Sequence, residues 1–134
     1  MNADVSRLEP ARARFQRAVK INPNNRTARH RLGLIALQGG QYDEAQDQLG
    51  EAYRIDNNHR GIQKAYGYAS AWAGNYDQAV QLLAEIPEAE FELTQYVIWW
   101  KRQGRIDLAI QANQTKGILK GMGNSIPYQE ENQP

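Results

Sequence analysis

The side chains that could carry chemistry in this sequence are two histidines and one stripe of carboxylates. His30 and His59 fall on separate predicted elements, whereas Glu44, Asp47 and Glu51 follow one another at i, i+3 and i+7 on one predicted helix. Imidazoles and carboxylates serve as metal ligands and as acid–base groups. However, the spacing of the stripe is also that of a solvated helix face, and scattered histidines are most often surface polar residues. We interpret all five as surface residues.

Motifs of known catalytic and nucleotide-binding sites do not occur in the sequence. It contains no G-x-x-x-x-G-K, no G-x-S-x-G and no H-E-x-x-H, and it has no cysteine for thiolate chemistry or disulfides. Its glycine pairs end predicted helices, and none follows a strand. We therefore predict that the protein is not an enzyme and has no catalytic residue, no metal site and no cofactor.

Three similar segments set the organisation of the chain. Gly-Gln-Tyr-Asp-Glu-Ala at 40–45 recurs as Gly-Asn-Tyr-Asp-Gln-Ala at 74–79 and as Gly-Arg-Ile-Asp-Leu-Ala at 104–109. The first step is 34 residues and the second is 30. A period of this size indicates a stacked repeat array, because one unit cannot bury its own apolar face. Further upstream, residues 6–11 lie in register with residues 40–45. We therefore predict a turn at residues 6–9, followed by a second helix at 9–21 whose first helix is missing.

These matches resemble the tetratricopeptide repeat, a helix–turn–helix unit of 34 residues, over residues 6 to 119. The resemblance implies an all-α fold. It would be a right-handed α-solenoid of stacked helix–turn–helix repeats, with about three full repeats and an N-terminal half repeat. We predict a repeat domain at residues 1–120 and a disordered tail at 121–134, where apolar periodicity is lacking.

The apolar spacing and the turn residues predict seven helices and no strand. Their predicted ranges are 9–21, 26–38, 43–55, 60–73, 77–85, 89–102 and 106–119. Gly33 and Gly67 lie mid-helix, where glycine costs about 1 kcal/mol relative to alanine. We explain them by a close approach of the first helix of each repeat to the second, opposite Ala45 or Ala79.

The second repeat is shorter than the first by four residues, which is about one helical turn. Pro87 ends its second helix early. Ile86 and Phe91 are predicted to pack together across the shortened junction.

The net charge of +1 conceals an asymmetry along the chain. Residues 1–31 carry eight basic and two acidic side chains, whereas residues 32–134 carry eight basic and thirteen acidic ones. The basic end is either a solvated helix face or a surface for anions or for another copy. Nucleic-acid binding is not predicted, because no aromatic platform accompanies the arginines.

No apolar run approaches the ~18 residues that a membrane span needs, so membrane insertion is not predicted. The first five residues lack the apolar stretch of a signal peptide. We expect a cytoplasmic protein, while the periplasm or the soluble part of a larger protein stays open.

In the tetratricopeptide repeat family the first helices line a concave groove, which binds partner proteins. Carried over to this sequence, the candidate partner-binding residues are His30, Leu34, Gln38, Lys64, Tyr68, Trp72, Thr94, Ile98, Lys101 and Arg102. Tyr68 and Trp72 are predicted as exposed anchors. Lys64, Lys101 and Arg102 are predicted to set a preference for anionic ligands. The alternative is that Trp72 and Ile98 pack between adjacent first helices.

The resemblance thus implies an interaction scaffold that binds a protein or peptide with apolar and acidic residues in its concave groove. The alternative is a structural self-assembly module. In that case the basic N-terminal helix would dock on the acidic second helices or the C-terminal end of another copy, giving a homo-oligomer.

Overall fold

The computed structural model describes residues 5–124 and folds them into seven α-helices, without a strand in that range. The helices are α1 (Val5–Ile21), α2 (Arg26–Gln38), α3 (Tyr42–Ile55), α4 (Arg60–Trp72), α5 (Tyr76–Leu83), α6 (Ala89–Arg102) and α7 (Ile106–Asn124). The predicted all-helical class is confirmed.

The helices form three antiparallel hairpins in series. These hairpins are α2–α3, α4–α5 and α6–α7. The single helix α1 packs against α2, and α3 packs against α4. The last helix, α7, also packs against α4 and α5. The result is a helical-repeat solenoid in which the core runs as a strip between neighbouring hairpins.

Each hairpin turn is built on one glycine with positive φ. These glycines are Gly40, Gly74 and Gly104, with φ of 76°, 86° and 76°. In the first turn the N–H of Gly40 donates to Leu37 O and the N–H of Gln41 donates to Ala36 O. This pair of bonds satisfies the last carbonyls of the helix while reversing the chain. The other two turns repeat the same two bonds, which explains why the glycine recurs in the sequence.

Close approach within each hairpin explains the mid-helix glycines, although the predicted partners were wrong. A Cβ on Gly33 would lie 2.4 Å from Cγ of Leu49, and a Cβ on Gly67 would lie 2.6 Å from Cδ2 of Leu83. The second helix therefore fills the glycine notch with a leucine. Ala45 and Ala79, which were predicted there, are not among the atoms nearest to either notch.

Both ends of the helical array extend beyond their predicted limits. α1 begins at Val5, whereas residues 6–9 were predicted as a turn because they align with the turn at Gly40. Ser6 stands in the place of that glycine, so the residue that would reverse the chain is missing and the helix continues. α7 ends at Asn124, so residues 121–124 of the predicted tail are helical. The remainder of the tail, residues 125–134, lies outside the described residues.

At the junction between the second and third hairpins, only one of the two residues predicted to pack together is buried. Ile86 is buried in the core, but the Phe91 side chain is 67% exposed, so the predicted packing of Ile86 on Phe91 is wrong. Ala89 and Leu93 are the buried positions at the start of α6. Phe91, two residues from each, points to the opposite side of the helix.

Candidate functional site

A groove of about 1070 Å³ runs along the first helices of the array. Its walls come from α1, α2, α4 and α6. Seven of the ten predicted partner-binding residues line it: Leu34, Gln38, Lys64, Tyr68, Trp72, Ile98 and Arg102. The other three, His30, Thr94 and Lys101, are not part of its lining. Thus the first helices bring most of the predicted residues to one surface, as the repeat register requires.

The two predicted aromatic anchors are core residues that reach the groove only at its floor. Tyr68 and Trp72 are each 6% exposed. Their rings stack on each other at 6.0 Å, and both contact the ring of Tyr96 edge-on at 5.2 Å and 5.1 Å. The prediction that they are exposed is therefore wrong. For Trp72 the alternative of packing between adjacent first helices is the one observed, whereas Ile98 is 47% exposed.

α4 and α6 are joined by a ladder of side-chain pairs with a constant offset of 28 residues. Its rungs are Arg60–Glu88, Lys64–Glu92, Tyr68–Tyr96 and Trp72–Trp100. Successive rungs are four residues apart on both helices, so the two helices run parallel and present the same face to each other. The rungs near the helix N-termini are ionic and those near the C-termini are aromatic.

The ionic rungs contain Lys64, one of the three cations on which the predicted preference for anionic ligands rested. Lys64 Nζ lies 2.9 Å from Glu92 Oε2 and 3.1 Å from Glu88 Oε2, and the hydroxyl of Tyr68 donates to Glu92 Oε1 at 2.7 Å. Hydrogen bonding to Glu92 raises the pKa of Lys64. The bond from Arg60 lowers the pKa of Glu88 to about 2. The charge of Lys64 is thus compensated within the protein, and Lys64 does not make the groove basic.

The groove takes its positive charge from two other residues. Arg31 on α2 and Arg102 at the end of α6 both line the groove and are exposed. Within residues 5–124, no ion pair involves either guanidinium. They are therefore available to carboxylates from outside the chain.

The three predicted residues outside the groove have local environments of their own. The rings of His30 and His59 meet edge-on with centroids 5.5 Å apart. His59 also caps α4, because its Nδ1 accepts from the N–H of Ile62 at 3.1 Å. The hydroxyl of Thr94 donates to a carbonyl of its own helix, and Lys101 is exposed. Among the described residues, no group of three or more His, Cys, Asp and Glu could hold a metal ion.

Sequence reasoning missed several groove residues, and one signal could have found some of them. Tyr96, Glu92 and Trp99 line the groove, as do Arg31 and Phe15. The prediction positioned α6, the first helix of the third hairpin, by the 30-residue step between the turns. The contacts instead follow an offset of 28, and pairing opposite charges between the two helices would have indicated Lys64 with Glu92.

The middle of the chain, which contains the glycine notches and most of the groove, matches a known family. Residues 36–96, from the end of α2 to the middle of α6, match the family model of the tetratricopeptide repeat. Over this segment the chain is similar to the tetratricopeptide repeat family. Tetratricopeptide repeats are non-catalytic and generally mediate protein–protein interaction. No curated protein was found to match the chain.

Within residues 5–124, none of the helices combines the length and the apolar character needed to cross a bilayer.

Proposed function

We propose that this chain binds an extended segment of a partner protein along the groove of α2, α4 and α6, and that it has no catalytic activity. The observation that carries the proposal is an apolar groove with two uncompensated arginines on its walls. Ile98 is 47% exposed there and Leu34 is half-buried. Arg31 and Arg102 supply the positive charge.

The partner segment should combine apolar side chains with carboxylates. Burying the exposed face of Ile98 would favour an aliphatic or aromatic contact. The two guanidiniums favour Asp or Glu, and their planar donors can bind a carboxylate through two hydrogen bonds. Lys64 contributes little to this preference because Glu88 and Glu92 already hold it.

A display library of random peptides, selected on the full chain, tests this proposal. The selected peptides should be enriched in apolar and acidic residues. Their affinity, measured by calorimetry, should fall about 10-fold or more for Arg102→Glu at low salt. The matched control is Lys101→Glu, the adjacent charge outside the groove, which should change affinity by less than about 2-fold. Selection of basic peptides, or equal loss in both variants, would refute the groove as the binding site.

Self-assembly remains a second candidate function because a basic face and an acidic face are both exposed. Arg14, Arg17 and Lys20 are exposed on α1, and Asp43 and Asp47 are exposed on α3. Docking between copies would then weaken with added salt. Light scattering of the full chain at low and high salt measures this, and a monomer under both conditions contradicts it. The cytoplasmic location stays a prediction.

A further inference from the structure

Among the described residues, four charged side chains line the groove, and two of them compensate each other. The four are Arg31, Lys64, Glu92 and Arg102. Lys64 Nζ lies 2.9 Å from Glu92 Oε2, and Glu92 Oε1 accepts from the hydroxyl of Tyr68 at 2.7 Å. This ion pair adds no net charge to the middle of the groove. The positive charge that remains is therefore located at Arg31 and Arg102, which are both exposed.

Arg31 and Arg102 lie at different levels along the groove. The residue equivalent to Arg31 in α4, one 34-residue step later, is Ala65, and the ladder offset of 28 leads from Ala65 to Leu93 in α6. Arg102 follows Leu93 by nine residues. At 1.5 Å per residue, the two arginines are thus separated by about 13 Å along the helix axes.

The two arginines also lie on opposite walls of the groove, because α4 contacts both α2 and α6. Neighbouring helix axes are about 8–10 Å apart, so two such steps separate the walls by about 16–20 Å. Together with the axial separation, this places the Cα atoms of Arg31 and Arg102 at most about 21–24 Å apart. The two positive charges therefore occupy opposite corners of the groove.

An extended segment that reaches both corners must carry its carboxylates at a defined spacing. An extended chain covers about 3.3–3.6 Å per residue, so the span corresponds to at most about seven residues. The arginine side chains and the acidic side chains extend toward each other, which shortens the backbone path to about four to six residues. Apolar side chains line the surface between the corners: Leu34, Leu37, Ala65 and Ile98. The residues between the two carboxylates should therefore be apolar.

We propose that the groove selects partner segments in which two acidic residues stand about four to six positions apart, with apolar residues between them, so that one carboxylate binds Arg31 and the other binds Arg102. This inference rests on the function proposed above and adds the pattern that the groove recognises. Each guanidinium can hold a carboxylate through two hydrogen bonds. Once the first pair has formed, the second forms within the same complex, so the spacing decides whether it contributes to affinity.

The first measurement is a selection by spacing on the full chain. Each peptide of a displayed library carries two glutamates at a separation of about one to ten residues, with random residues elsewhere. The separations in the selected pool should peak at about four to six residues. A flat distribution of separations among acidic peptides would overturn the two-corner geometry. Loss of acidic peptides from the pool would instead refute the groove function on which this inference rests.

Isomeric peptides then measure the effect without a change in net charge. A selected peptide is compared by calorimetry with an isomer in which its two glutamates are adjacent. At low salt the selected peptide should bind about 5-fold more tightly, because only its spacing allows both ion pairs. Arg31→Gln and Arg102→Gln should each bring the two isomers within about 2-fold of each other. The control Lys101→Gln removes an exposed charge outside the groove and should preserve the difference.

Charge exchange shows which carboxylate meets which arginine. The Arg102→Glu variant should bind the peptide more tightly when lysine replaces one particular glutamate, and Arg31→Glu should prefer lysine at the other position. Rescue of each variant by lysine at either position would show long-range attraction without specific pairs. Absence of rescue at both positions would show that the arginines do not contact the carboxylates. Either result, or an isomer preference that survives both arginine-to-glutamine variants, overturns the proposal.

Discussion

Leu49 occupies the space that a side chain on Gly33 would need. The two residues meet where α2 crosses α3, and an ideal Cβ at Gly33 would stand only 2.4 Å from Leu49 Cγ. The contact recurs between Gly67 and Leu83 in the next hairpin. In the first two hairpins the distance between the helices is therefore set by a glycine, which has no side chain, and a large leucine opposite it.

Substitution of Gly33 tests this relationship directly. Gly33→Leu should destabilise the protein by more than about 2 kcal/mol, because Leu49 is fully buried and cannot move aside without shifting the helix. Urea denaturation followed by circular dichroism gives the free energy of unfolding. The matched control is Gly117→Ala on α7, where a Cβ meets no atom within 4 Å. That change should stabilise the protein by up to about 1 kcal/mol, and a similar loss in both variants would mean that the notch has no special role.

Trp72 and Ile98 both line the groove but should respond differently to truncation. Trp72→Ala should cost about 3–5 kcal/mol of stability, because it leaves a cavity in the aromatic cluster with Tyr96 and Trp100. Ile98→Ala removes a side chain that is 47% exposed and should cost less than about 1 kcal/mol. Thermal unfolding of both variants distinguishes the core residue from the surface residue. Equal stability losses would contradict the burial described here.

The hydroxyl of Tyr68 should contribute measurably to the junction between the second and third hairpins. Tyr68→Phe removes its bond to the Glu92 carboxylate and should destabilise the chain by about 1.5–3 kcal/mol. Tyr96→Phe is the control, because its ring is in the same cluster while no described hydrogen bond uses its hydroxyl. The difference between the two denaturation midpoints measures the bond, and identical midpoints would show that it contributes nothing.

Protonation of His30 should weaken the fold. Burial, and next the charge of His59, hold the pKa of His30 below its ordinary value of 6.5. The unfolded chain binds this proton more readily than the folded one. The contribution of neutral His30 to the free energy of unfolding is therefore fully present above pH 6.5 and declines as the pH falls below it. The urea midpoint should fall as the pH is lowered from about 7.5 to about 5, the range in which histidine titrates. His30→Gln should flatten that fall. An unchanged slope in the variant would assign the effect to other groups.

The fold could be predicted from the sequence wherever a residue type marks one backbone or packing requirement. Gly40 and Gly74 mark the positive-φ turns, and Gly33 and Gly67 mark the notches, so the helices between them were placed within one or two residues. The N-terminus of α1 was misplaced because alignment to a turn took no account of the missing glycine at position 6.

The candidate site was less predictable because exposure depends on how neighbouring repeats stack. The repeat register placed Tyr68 and Lys64 on the correct face of α4. It could not show that the shortened repeat brings Tyr96 and Glu92 of α6 against these two residues. Tyr96 covers Tyr68, and Glu92 compensates the charge of Lys64. A difference of four residues in the length of one repeat thus changed which side chains remain available in the groove.

The clustering of all three tryptophans gives the molecule an internal optical label. Trp72, Trp99 and Trp100 lie on α4 and α6, and adjacent pairs are in ring contact. Indole emission therefore reports on the second and third repeats only, whereas far-ultraviolet dichroism reports on every helix. Loss of dichroism before any change in emission would mean that the array unravels from its basic end, whereas coincident changes would mean that α6 and α7 come apart no later than α1. Two spectra recorded on one unmodified sample can thus show whether the basic end comes apart first.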